Sequence, residues 1–354
     1  MKKFGVVALG VLALGLASAQ NVIKIATVSP LSGGQAGQGE SIKLGAQLAI
    51  EEAQAKFKAL GFDLQIAPQD DQATPDVGVA VAKRLINDND VLGVVGHLNS
   101  GVAIPSSEVY KEVNLAMVSP ANTNPRVTDR GLPNVSRVCG RDDIQGAVGA
   151  EYAVKTLKKS KLFILHDKTA YGQGLADFVK ARAEELGATV VSFVGTEEGS
   201  NFQPLIIQMR AQRPDLVYYG GIYDKGAVLL KQMRERGITA TFMGGDGLDG
   251  ADYVRIGGKA VIGSVYTTTA GPISTLPRTA EAAKAYKAKF GKDTESYGMY
   301  AYDAANVILI AMENAIKANG GKKPTRDQVT AEVRKVTLKG ITGDIAFDSK
   351  GDRT

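Results

Sequence analysis

The sequence predicts an α/β fold of two doubly wound α/β lobes joined by three hinge crossings. Three observations lead there. Short apolar runs alternate with longer amphipathic ones along most of the 354 residues, an order that favours parallel strands with crossover helices. The alternation starts afresh after NVSRVCG (134–140). The chain is also too long for one ordinary core.

In the first alternation, VIKIATV, FDLQIAPQD, VLGVVG and LAMVSP read as strands, separated by helical patterns from Gly39, Pro75 and Ala103. In the second, KLFILH, TVVSFVG, DLVYYGG and TFMGG are strands, with helices such as GQGLADFVKARAEELG between them. GSVYTTTAGPIST (263–275) is extended and then broken by Gly and Pro, as a return crossing would be. The helical patterns after it belong to the first lobe, and GDIAFDSKGD crosses once more. The first lobe is thus expected over 20–139 and 271–337, the second over 140–270 and 338–354.

Residues 1–19 read as a secretory signal peptide: Lys2 and Lys3, an apolar run from Phe4 to Leu16, then Ala17-Ser18-Ala19. The run is shorter than the roughly 18 residues a spanning helix needs. The mature chain is therefore expected in the periplasm, without membrane insertion. Net charge is +5, with Lys and Arg interspersed among Asp and Glu rather than gathered into a basic stripe, so no nucleic-acid partner is expected. Cys139 is the single cysteine, and His97 and His166 do not share a ligand spacing. Neither a disulfide nor a metal or other cofactor is expected.

Ligands of open parallel sheets bind outside the carboxyl ends of the strands. The turns there, among them SPLSGGQAGQGE, GHLNSG, SPANTNP, HDKTAYGQG, GGIYDKG and GGDGLDG, are rich in hydroxyl, amide and glycine. A serine hydrolase would need glycines two positions either side of Ser100, where Leu98 and Val102 stand. Gly34, Gly37 and Gly39 lack the G-x-G-x-x-G spacing of a dinucleotide site. No enzyme is expected.

These turns suit a small zwitterion. Ser100 opens a helix, whose unpaired N–H groups and dipole favour a carboxylate. Ser100 and Thr123 add hydroxyls, and Asp246 in the other lobe offers an anion for an ammonium group. A cleft closing over such a ligand replaces water by these groups. Capping roles for Ser100 and Thr123, and a turn-forming role for Asp246, account for the same residues.

VVGHLNS, MVSPANTNP, ILHDKTAYGQGLA, DLVYYGG and TFMGGDG, in this order, also resemble the periplasmic leucine/isoleucine/valine-binding proteins of bacterial ABC importers, from about Asn21 to the end. The resemblance implies a type I periplasmic binding protein that closes on a branched-chain or other small aliphatic amino acid and delivers it to a membrane permease. It assigns Ser100 and Thr123 to the ligand carboxylate, and the Ala121 carbonyl and Asp246 to the ammonium. Tyr171 would wall the cleft, with Leu98 and Asn99 beside the side-chain pocket. A family tyrosine matches Ile222 or Tyr223. Gln38 stands where an aromatic wall is common, which opens the alternative of an amide, carboxylate or polar amino acid as ligand.

Overall fold

The computed structural model describes residues 21–271 and 273–354, so the expected leader lies outside the described residues. The first part of the chain runs β1 (Asn21–Ser29), α1 (Ala36–Ala59), β2 (Phe62–Asp70), α2 (Pro75–Ile86), β3 (Val91–Gly96), α3 (Ser100–Lys111), β4 (Ala116–Ser119), α4 (Arg126–Asp129) and β5 (Val135–Arg137). These strands make one parallel sheet in the order β2-β1-β3-β4-β5. Its middle strand, VLGVVG, is buried along its whole length, as a strand covered by helices on both faces must be.

The second alternation runs α5 (Asp142–Glu151), β6 (Lys161–His166), α6 (Ala170–Glu185), β7 (Thr189–Gly195), α7 (Gln203–Gln212), β8 (Leu216–Gly220), α8 (Tyr223–Glu235), β9 (Thr241–Gly244), α9 (Ala251–Gly257) and β10 (Val265–Tyr266). It forms a second parallel sheet, ordered β10-β9-β8-β6-β7, whose central β8 is again wholly buried. Each sheet has its own apolar cluster. The helix starts are written locally. Thr169 caps α6 by accepting the Gly172 N–H at 2.9 Å, and Pro75 occupies the first turn of α2, where its missing N–H costs nothing.

Beyond β10 the chain returns to the first sheet with α10 (Ala280–Phe290), α11 (Ser296–Ala318) and α12 (Arg326–Val333). Helix α11 packs along α1 and against β3 and β4. The approach is close at Gly45, where a Cβ would stand 1.9 Å from the Gly298 carbonyl oxygen. Cys139 is buried in the same first-lobe cluster, and burial pushes its thiol up to about 12.

The last segment corrects the expected lobe boundaries. Residues 338–354, expected in the second lobe, form the hairpin β11 (Leu338–Gly340) and β12 (Gly343–Ile345) and pack on first-lobe elements. Buried polar groups hold them there. The Asp303 carboxylate of α11 accepts from the N–H groups of Ile341 and Thr342. The Arg137 N–H bonds the Gly351 carbonyl at 2.9 Å, and Asp352 pairs with the fully buried Arg137 guanidinium. Ile345 completes the first core.

Candidate ligand-binding site

Two turns at the carboxyl edge of the first sheet are locked to one another. Beyond β3, the His97 N–H donates to Asn122 Oδ1 at 3.1 Å, and Asn122 Nδ2 returns a bond to the Leu98 carbonyl at 2.9 Å. Ser119, ending β4, donates to the same Asn122 oxygen. Beneath them the buried Arg137 donates to the carbonyls of Asn122 and Asn124 at 2.8 and 3.0 Å. The backbone bearing Leu98 to Ser100 and Ala121 to Thr123 is therefore held by a satisfied buried network, which favours a single geometry.

His97 belongs to this frame. Its Nδ1 lies 2.8 Å from the Asp71 carboxylate and its Nε2 3.2 Å from the Tyr110 hydroxyl, all three residues being fully buried. With both ring nitrogens engaged, it is not a base for Ser100. Asp70 likewise holds the turn at Leu31, Ser32 and Gln72.

From the second lobe comes Asp246, just past β9 and buried. Three donors converge on its carboxylate: Gln145 Nε2 at 2.7 Å, the Tyr171 hydroxyl at 2.9 Å, and the Tyr297 hydroxyl. Burial raises the pKa of Asp246, and the three donors only partly offset it. Burial, then the Asp246 charge, keeps both phenols well above their ordinary value, so they remain protonated donors.

A gap of about 20 Å³, room for a single water, lies between the two sets of turns. Gln38, Leu98, Asn99, Ala121, Tyr171, Ile222 and Asp246 line it, completed by Gly247 and Tyr297. The other expected residues stand further back. Ser100 is buried at the start of α3 and accepts the Asn124 N–H at 3.3 Å. Tyr223 does not line the gap, its ring lying against Gly250 and its hydroxyl near Gly37, whereas Ile222 does.

The buried Thr123 hydroxyl lies beside the Asp142 carboxylate, and the Asp142 N–H bonds the Thr123 carbonyl at 2.9 Å. Burial, followed by the Asp246 charge, raises the pKa of Asp142 well above the carboxylate range, with the Thr123 hydroxyl acting against it. Asp142, Gln145 and Tyr297 escaped the sequence reading because none sits in a turn after a strand. The first two occupy the opening of α5 and Tyr297 that of α11. The acids and amide in GRDDIQG, directly after the expected crossing, were the available signal for the α5 pair.

The lobes also touch directly. Asn124 Nδ2 donates to the Ala170 carbonyl at 2.6 Å, Gln38 Nε2 to the Asp249 carbonyl, and the Ser296 hydroxyl to Asp249 at 2.8 Å.

Two parallel-sheet lobes facing one another across a small gap have the architecture of a solute-binding protein. The chain belongs to the periplasmic binding protein family, whose sequence profile matches residues 22–354. A Leu/Ile/Val-binding protein homolog 2 of Brucella abortus (strain 2308) is 38% identical over 331 residues, 93% of this chain and 87% of that protein. A Leu/Ile/Val-binding protein of Rhizobium johnstonii, BraC3, is 36% identical, covering 92% and 90%. The crystal structure of a leucine-binding protein, LivK, from Thermotoga maritima superposes with a TM-score of 0.85 at 31% identity, covering 94% of this chain and 93% of that one. Among the described residues no helix is long and apolar enough to cross a membrane.

Proposed function

We propose that this chain is the periplasmic amino-acid receptor of an ABC importer, exported by its leader, and that its lobes close on a zwitterion and hand it to the permease. The observation that carries the reading is the opposition of Asp246, buried in one lobe, to the start of α3 in the other. The ligand ammonium pairs with Asp246 and the Ala121 carbonyl. The carboxylate takes the first N–H groups of α3, where the helix dipole favours an anion. Ser100 lies behind those donors, and Thr123 offers its hydroxyl from beside Asp142. Tyr171 and Tyr297 hold Asp246 in place, and Leu98 and Ile222 supply the apolar wall.

Kinship with leucine-binding proteins supports an amino acid as the ligand. Calorimetric titration of the twenty amino acids into protein refolded free of copurified solute tests the reading. Saturable binding of at least one α-amino acid, lost when its amino group is acetylated, supports it. Absence of binding by all twenty rejects it.

A further inference from the structure

The end of the gap away from Asp246 departs from an apolar side-chain pocket. Gln38 is only 2% exposed. Its Nε2 donates to the Asp249 carbonyl, a group that can only accept, and this sets the orientation of the amide. The Gln38 Oε1 is left buried at the gap wall without a hydrogen-bond partner. The Asn99 amide pairs with the Gln35 amide at 2.8 Å, and since either amide can donate, this pair does not fix which Asn99 atom is left free. Gln38 thus spends its donor on protein and keeps a free acceptor at the wall of the gap, which Leu98 and Ile222 also line.

We infer that the ligand side chain carries a hydrogen-bond donor: the solute is an amino acid with a short hydroxyl or carboxamide side chain, in preference to a branched aliphatic one of the same shape. The inference rests on the amino-acid reading above. A valine or leucine side chain would leave the buried Gln38 acceptor unpaired. A site built to bond a donor discriminates strongly against an isostere that lacks it. Leu98 and Ile222 restrict the side chain to a short one and accommodate a methyl beside the donor.

Isosteric pairs provide the test: L-threonine against L-valine and L-asparagine against L-leucine, titrated calorimetrically into the refolded, solute-free protein. The polar member of at least one pair should bind tighter by roughly tenfold or more. In Gln38→Met, which keeps the length and removes the oxygen, that ratio should shrink toward unity. The ratio is the readout because loss of the Gln38 contact to Asp249 would weaken all ligands alike. Equal affinities within both pairs, or tighter valine and leucine, overturn the inference and leave the amino-acid receptor standing. An unchanged ratio in Gln38→Met overturns the assignment to Gln38. Failure of all twenty amino acids to bind removes the receptor reading and this one with it.

Discussion

Tyr297, at the start of the helix that returns to the first lobe, donates its hydroxyl to Asp246 of the second lobe. The bond joins the two lobes through the one acid at the wall of the gap. Tyr297→Phe should therefore weaken amino-acid binding by about 1.5–3 kcal/mol, the worth of a hydrogen bond to a charged group. Titration calorimetry checks it. A dissociation constant equal to that of the unchanged protein would assign Tyr297 to packing alone.

Asp246→Asn should separate stability from binding. The folded-state pKa of Asp246 is raised by burial, so its ionisation costs stability as pH rises above the ordinary carboxylate value. Removing that charge should raise the melting temperature of the solute-free protein near neutral pH while binding is lost. Thermal shift with and without ligand reads both. A lower solute-free melting temperature would show that the three donors more than compensate for burial.

Affinity should fall on acidification. An ammonium ligand favours ionised Asp246, and the raised pKa means that protonation sets in above the usual carboxylate range. Asp142, raised by burial and by the Asp246 charge, also takes up its proton above the ordinary carboxylate range. The two act together, so the profile belongs to the pair. Calorimetry across the acidic range should show weakening before the fold melts. A flat profile down to the unfolding transition contradicts the pairing of ammonium with Asp246.

Arg137→Met should be among the most damaging changes. The guanidinium is fully buried, bonds the carbonyls of Asn122 and Asn124, and neutralises Asp352. Removing one member of a buried ion pair costs about 3–5 kcal/mol. Burial acts to raise the Asp352 pKa, but Arg137, Thr128 and Arg141 outweigh it and the net shift is downward. Its stabilisation is therefore complete well above the ordinary value and lost as pH falls through the depressed one. Urea unfolding should show the loss for Arg137→Met. A cost under about 1 kcal/mol, the level of an exposed pair, would contradict it.

Gly45→Ala should destabilise the first lobe, because the new methyl meets the Gly298 carbonyl and forces α1 from α11. Overpacking of this kind typically costs about 1–3 kcal/mol. A melting curve unchanged from the parent protein would mean that the two helices separate freely.

The regular parts of the fold were legible because buried parallel strands write themselves as unbroken apolar runs, as VLGVVG and LVYYG do. The tail was not, since GDIAFDSKGD carries no periodicity that says which lobe it joins. Its placement depends on Asp303 and Arg137, far away in sequence. In the site, the strand-end rule pointed to the turn that holds Asp246, and the family resemblance to Gln38, Asn99 and Ala121, which line the gap with it. It could not find Tyr297, which reaches the gap from a helix start after the return crossing. Nor could it decide between Ile222 and Tyr223, because a one-residue shift in a glycine-rich turn leaves the sequence pattern unchanged.

The buried Cys139 has a practical consequence for experiments on lobe movement. A thiol this deep and this reluctant to ionise reacts poorly with maleimides, so cysteines introduced on the exposed rims of the lobes could be tagged without removing it. The absence of tryptophan leaves the near-ultraviolet emission window uncrowded for energy transfer between such tags. The native chain is in this way already a suitable chassis for an optical nutrient sensor.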